Sequence, residues 1–287
     1  MTEPAPVWCE RTELLLGTET YEKLRHAHVL VVGLGGVGAY AAEMIARAGV
    51  ERMTIVDADV VSPSNINRQL VALHSTVGQP KADVLAARLR DINPAIELTV
   101  IAEYIRDEAT DRLLDHEPSY SFVVDAIDTL APKVNLIKGC LDRGIPLVSS
   151  MGAGAKTDPT LIEIKDIGRS HHCPLAHMLR KRLHKLGIRS GFPVVFSPEA
   201  VRPGSMILCE EQNKKSNVGT ISYMPAVFGC ACASVAIRTL IGEMYPPIHR
   251  RLPSGSRLTP YPCTAAPEET STAASGTSLS NQPPCNP

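Results

Sequence analysis

Arg68, Lys81 and Asp128 are the residues of this 287-residue chain whose types and neighbours point to chemistry. Arg68 lies next to last in the run Asp57-Ala-Asp59-Val-Val-Ser-Pro-Ser-Asn65-Ile-Asn67-Arg68-Gln69, and Lys81 follows in Gly78-Gln-Pro-Lys81. A triphosphate carries about four negative charges and needs fixed cations along its length, of which Arg68 and Lys81 would supply two. Asp128 ends Val-Val-Asp125-Ala-Ile-Asp128. A carboxylate at the carboxyl edge of a sheet can hold Mg²⁺ against phosphates; the same residue can instead cap a helix that begins before Pro132.

These residues need elements to position them. The segment Gly33-x-Gly35-x-x-Gly38 follows the apolar stretch His28 to Val32 and opens a helical segment, so its N–H groups and the helix dipole face an anion. Asp57 lies 19 residues beyond Gly38, at the end of a second apolar run, where a carboxylate accepts ribose hydroxyls. Taken alone, the glycine turn and Asp57 suit an NAD-binding dehydrogenase as well as an ATP enzyme. A nicotinamide cofactor has no use for the cluster after Asp57, and no hydride-transfer acid/base pair is evident.

Apolar runs alternate with helical segments in the pattern of a mainly parallel sheet covered on both faces. The reading predicts strands at 28–33, 52–56, 96–101, 120–125 and 146–150, with helices near 36–48, 79–92, 109–115 and 131–143. Runs at 161–167, 193–197 and 206–210 predict an antiparallel continuation. Residues 169–189 hold six Lys/Arg, four His and no Asp/Glu. A helix from Pro174 to Leu186 would place Leu175, Met178, Leu179, Leu183 and Leu186 on one face and the cations on the other. That charged face is either simply solvated or turned to phosphates. In 216–244, Thr220 or Ser222 is a plausible helix cap, Pro225 suits a first turn, and Ala226, Gly229, Ala231, Ala233 and Ala236 predict close packing.

Lys and Arg total 29 against 30 Asp and Glu, so any polyanion site must be local. The eight cysteines form no CxxC pair, which argues against structural zinc, and no signal-peptide pattern precedes them. Reduced thiols in a cytoplasmic protein are expected. No run of about 18 apolar residues predicts a membrane span. Residues 246–287 contain nine of the 23 prolines and few large apolar groups, and are expected to be a disordered tail after a domain spanning 1–245.

Together GLGGVG, IVDADVVSPSNINRQ, GQPKAD and DAID resemble the ThiF/MoeB and ubiquitin-activating superfamily of ATP-dependent adenylating enzymes, over roughly residues 9 to 245. Within it ERTELLLG, LRKRLHKLGIR, PVVFS and SNVGTISYMPAVFG are similar to the tRNA threonylcarbamoyladenosine dehydratase branch. The resemblance implies a Rossmann-like α/β fold in which Gly33, Gly35, Gly36 and Gly38 line ATP and Asp57 takes the ribose. It implies phosphate contacts for Asn65, Arg68 and Lys81, and Mg²⁺ on Asp128. Arg11 matches an arginine that in relatives reaches the partner subunit's ATP site, which implies a homodimer.

The implied reaction adenylates the threonyl carboxylate of the modified adenosine in tRNA and then cyclises it with loss of water. Two alternatives stand beside it: adenylation of the C-terminus of a sulfur-carrier or ubiquitin-like protein, and a nucleotide-binding scaffold without turnover. Cys209 does not fall at the spacing of a cysteine carried by some relatives, and Glu210 and Glu211 would raise a thiol pKa there. Cys230 and Cys232 read as packing residues; His171 and His172 read as facing tRNA or solvent.

Overall fold

The computed structural model describes residues 5–211 and 214–243; the stretch 246–287 and the side chains of 207–217, Cys209 included, lie outside the described residues. The chain opens with α1 (Glu10–Leu16) and α2 (Thr18–Arg25), followed by β1 (His28–Val32), α3 (Gly38–Arg47) and β2 (Arg52–Val56). Next come α4 (Lys81–Ile92), β3 (Glu97–Ile101), α5 (Glu108–Leu114), β4 (Phe122–Asp125), α6 (Leu130–Asp142) and β5 (Leu147–Ser150). The remainder is β6 (Glu163–Asp166), α7 (Pro174–Lys185), β7 (Pro193–Phe196), β8 (Met206–Glu211), β9 (Lys214–Val218) and α8 (Tyr223–Leu240).

Seven strands form one sheet in the order β3-β2-β1-β4-β5-β7-β6, and β8 and β9 form a separate hairpin. Successive residues of β1 feed opposite cores. Val29 and Val31 face a layer with Ala41, Ile45, Leu85 and Phe228, from α3, α4 and α8. Leu30 and Val32 face a layer with Leu113, Leu136, Leu179 and Leu183, from α5, α6 and α7. Helices therefore cover both faces, and the central strands read as continuous apolar runs because neither face meets water.

The strand order reverses between β1 and β4, both parallel to their neighbours, so their carboxyl ends open a crevice. The expected antiparallel continuation is the β6–β7 pair, but β7 itself joins β5 in parallel, and the 206–210 run lies in the separate β8–β9 hairpin rather than in this sheet. The chain between β6 and β7 passes through α7, so β7 enters the sheet as the end of a crossover, which apolar runs alone do not reveal.

The last helix starts at Tyr223 with Ser222 at its N-cap, although the Ser222 side chain makes no capping bond. Gly229 justifies its small side chains, since a Cβ there would stand 2.5 Å from the Val37 carbonyl oxygen and 2.7 Å from the Tyr40 Cβ. By length and composition α8 is apolar enough to cross a membrane, yet Met224, Phe228, Cys232 and Ala236 are buried within the protein. Cys230, expected to pack, is exposed instead. On α7, Met178 and Leu186 are also exposed, and the buried face is Ala176, Leu179 and Leu183. On α1, Leu14 and Leu15 are 87% and 82% exposed, and only Leu16 of that run packs against the core.

Candidate active site

The glycine turn sits at the crevice between β1 and β4. Gly33 adopts φ +89°, and a Cβ on it would lie 2.8 Å from the Ala126 carbonyl oxygen, so only glycine lets the turn close against the end of β4. Gly38 is tighter still, because its Cβ would collide with the Gly33 carbonyl oxygen. A Cβ on Gly36 would meet Pro225 at 2.8 Å and the Arg68 carbonyl oxygen at 3.3 Å. The Gln69 side-chain nitrogen stands 3.7 Å from the corresponding point on Gly35. Three remote segments thus converge on one turn: the end of β4, the loop carrying Arg68, and the first turn of α8.

Asp57 follows β2, beside the turn. Its Oδ2 accepts from the Leu34 N–H at 2.6 Å and its Oδ1 from the Asp59 N–H at 2.8 Å, which fixes the carboxylate and leaves each oxygen a lone pair. Burial pushes the Asp57 carboxyl above its usual range, against the opposing pull of Lys81 and the two N–H donors. Lys81 is only 4% exposed and begins α4. Backbone bonds from Val61 N to Gln79 O, Gly78 N to Val61 O and Lys81 N to Asp59 O strap the loop after Asp57 to the start of that helix. The Lys81 ammonium then lies 2.7 Å from Asp59 Oδ2, whose own side chain is 71% exposed. A buried cation held by an exposed carboxylate is a cation that an incoming phosphate can take over.

Arg68 is braced in a similar way, donating from Nη1 to the Ser64 carbonyl and to Asn67 Oδ1, each at 2.8 Å. Asn65 caps the turn through its Oδ1, which accepts from the Ser62 N–H at 3.1 Å; its amide NH₂ has no protein partner among the described residues. Asn67 donates to the Thr220 carbonyl at 2.9 Å and so ties this loop to the lead-in of α8. Gln69 Oε1 is buried without a hydrogen-bond partner in the ligand-free chain. An orphaned polar atom beside a glycine turn fits a site that a bound nucleotide completes.

Asp128 is exposed just past the carboxyl end of β4 and has no hydrogen-bond partner among the described residues. It does not cap α6, whose N-cap is Thr129. Its loop is anchored from below by groups that the sequence reading assigned no role. Lys133 and Asp125 form an ion pair at 2.9 Å with both side chains fully buried. Ser149 donates to Asp125 at 2.6 Å, the Ile127 N–H donates to Asp125 at 3.1 Å, and Lys133 donates to the Ile127 carbonyl at 2.9 Å. A signal was available: Lys133 falls at an inward-facing position with Leu136, Ile137 and Cys140, where a cation requires a buried partner.

Arg11 does not join these residues. It is exposed on α1, without a hydrogen bond or ion pair among the described residues. Nor do the described residues contain any group of three or more His, Cys, Asp or Glu placed to hold a metal. Cys232 is an inert thiol, its pKa pushed up to about 12 by burial.

The chain matches the ThiF family over residues 10–261. It is 48% identical over 190 residues to the tRNA threonylcarbamoyladenosine dehydratase of Bacillus subtilis, covering 66% of this chain and 74% of that protein. The corresponding Escherichia coli enzyme is 37% identical over 257 residues, covering 82% of this chain and 95% of that protein. A crystal structure of the Escherichia coli enzyme, TcdA, in complex with ATP superposes with a TM-score of 0.75 at 35% identity, over 82% of this chain and 94% of that one. With the glycine turn, the strand order and the match along most of its length in agreement, the chain belongs to the ThiF family.

Proposed function

We propose that this protein is an ATP-dependent tRNA threonylcarbamoyladenosine dehydratase: it adenylates the threonyl carboxylate of the modified adenosine and closes it into a ring, releasing pyrophosphate and AMP. One observation carries the reading. A carboxylate bonded to the glycine turn, a braced arginine and a buried lysine held on the loop after that carboxylate occur in a chain alike, over 82% of its length, to an ATP-bound dehydratase.

The chemistry follows from the poor leaving group of a free carboxylate. Attack of a carboxylate oxygen on the α-phosphorus forms one P–O bond and breaks the bond to the bridging oxygen, so pyrophosphate leaves with its electron pair. Negative charge grows on the phosphoryl oxygens as this happens. Lys81 and Arg68, already oriented, offset it without reorganising in the transition state. The carbamoyl group of the same nucleoside then attacks the acyl carbon, AMP departs, and the nucleoside has lost one water overall. Asp57 holds the ribose through the lone pairs that its backbone donors leave open.

Mg²⁺, when bound, would neutralise charge across the phosphate oxygens. Asp128 is the residue to hold it. A single exposed carboxylate without a protein partner fits this ion, which keeps several waters and takes its other ligands from phosphates.

A second copy of the chain completes the site in this reading. Val7, Leu14 and Leu15 leave an apolar surface around Arg11 that a partner subunit would cover, bringing Arg11 to the neighbour's triphosphate. The setting is cytoplasmic, where tRNA and reduced thiols coexist. Mixing Arg11→Ala with Lys81→Ala chains tests the arrangement, since a mixed dimer has one site with both residues. Recovery of activity is expected; two inactive variants that stay inactive when mixed would contradict a role for Arg11 across the interface. The reaction itself is tested by pyrophosphate release from ATP with tRNA bearing the modified nucleoside. Release with a sulfur-carrier protein and none with tRNA would overturn the reading.

A further inference from the structure

The helix α7 gathers unpaired cations into a cluster. Ala176, Leu179 and Leu183 face the core, leaving Lys181, Arg182 and Lys185 exposed, with Arg169 and Arg189 exposed near the C-terminal end of the helix, where a Cβ on Gly168 would stand 2.8 Å from the Arg189 carbonyl oxygen. Among the described residues none of these five lies within ion-pair distance of a carboxylate. Many helix cations elsewhere are neutralised: Lys23 by Glu19, Arg25 by Glu22 and Glu51, Arg47 and Arg88 by Glu43, Lys138 by Asp142, and Arg143 by Asp111 and Asp115. Arg11, Arg90 and Arg112 are also exposed without an ion pair among the described residues, but each stands alone on its helix rather than in a cluster. The whole stretch 169–189 contains no acidic residue, so the bare charge is written into the sequence as well as the fold. Holding like charges together unpaired costs stability, and an absent polyanion would relieve that cost.

Position matters as much as charge. A Cβ on Gly152, two residues beyond β5, would stand 3.8 Å from the Leu175 Cβ, so α7 begins at the same sheet edge as the glycine turn. It then returns through Gly187 to β7, which runs parallel to β5, so its other end lies at the opposite edge. Twelve helical residues span about 18 Å, and the exposed cations gather in the second half of the helix and just beyond it, on one face of the sheet and about 10 Å or more from the site edge.

We infer that α7 is a docking rail for the phosphate backbone of the RNA whose nucleoside reacts, an inference that rests on the reaction proposed above. Cations without acidic neighbours or Phe, Tyr or Trp interleaved among them bind phosphates without reading bases, which suits an enzyme that must accept a stem of variable sequence beside one fixed nucleoside. An anionic lipid surface is the poorer fit. The apolar side of α7 is spent on the core, and of its larger apolar side chains only Met178 is exposed, with Leu186 at the cap, too little to insert.

The test uses the full chain carrying Lys181→Glu, Arg182→Glu and Lys185→Glu together, with a second variant bearing Gln at the same three positions. The probe is full-length tRNA containing threonylcarbamoyladenosine, and binding is followed by fluorescence anisotropy across a salt series. ATP affinity is expected to match the parent chain, and the melting temperature to be no lower. The Kd for tRNA is expected to rise at least about tenfold in the Glu variant and less in the Gln variant, and the slope of log K against log salt to fall by about two. Unchanged tRNA affinity and slope in both variants would overturn the rail, as would capture of the parent chain by phosphatidylserine vesicles that is lost in the variants while tRNA binding stays. Binding is read without turnover, so a parent chain that binds tRNA through α7 but fails to dehydrate it would overturn the proposed reaction and leave the rail standing.

Discussion

The two cationic regions of this protein are built in opposite ways. At the glycine turn Lys81 is buried and held on Asp59, and Arg68 is braced on a carbonyl and an amide oxygen. Along α7 the cations stand exposed with no carboxylate within reach among the described residues. Fixed cations suit a small polyanion whose reacting atom must be located to a fraction of an ångström. Free cations suit a large polyanion that has to be gathered and oriented, with contacts that tolerate sliding. In the proposed reading one region sets the rate of the chemical step, and the other sets how often substrate arrives in register.

Substitutions can break this contrast, and the largest effect is expected beneath the site. Lys133→Ala strands the fully buried Asp125 carboxylate, and urea unfolding should report a loss of about 3–5 kcal/mol. A change under about 1 kcal/mol would mean that the buried pair does not anchor the loop carrying Asp128. Lys81→Ala comes next. Adenylation should fall by about 10²- to 10³-fold with the fold intact, and retained pyrophosphate release would remove the fixed-cation half of the comparison.

A smaller effect is expected with pH. The Asp57 carboxyl is raised by burial above its ordinary value of about 3.9, so in the free protein it protonates while ordinary aspartates remain charged. That protonation stabilises the free fold and removes a ribose acceptor, so ATP affinity should weaken as pH drops through the raised pKa. Titration calorimetry over an acid series would detect it, and flat affinity would separate Asp57 from the ribose. Smaller again is the control for α7: Lys23→Gln with Lys138→Gln removes two cations that acids already neutralise, and tRNA affinity should change by less than about twofold. Cys209→Ala should have the least effect, because flanking Glu210 and Glu211 disfavour the thiolate that a covalent route needs.

What could be read beforehand divides along the same physical line. The turn at Gly33–Gly38, the following helix, and the placement of Asp57 and Lys81 are local: each rests on periodicity or on a spacing of a few tens of residues. The charge excess of 169–189 is local too. Hidden from the sequence were contacts between distant segments, Pro225 against Gly36 and Asn67 on the Thr220 carbonyl, whereas Lys133 on Asp125 is local and was signalled by a cation at an inward-facing helix position. The placement of β7 beside β5 was hidden for the same reason, since an apolar run declares its own periodicity but not its partner. Gln69 was visible as a neighbour of Arg68, yet only the fold reveals that its Oε1 is buried and unpartnered.

The most direct test of the central reading is the mass of the nucleoside. The purified chain is incubated with ATP, Mg²⁺ and tRNA containing threonylcarbamoyladenosine, and the tRNA is digested and its nucleosides weighed. The account predicts a nucleoside lighter by one water, formed with stoichiometric AMP and absent when ATP is withheld. An unchanged nucleoside in the presence of bound ATP and bound tRNA would contradict it.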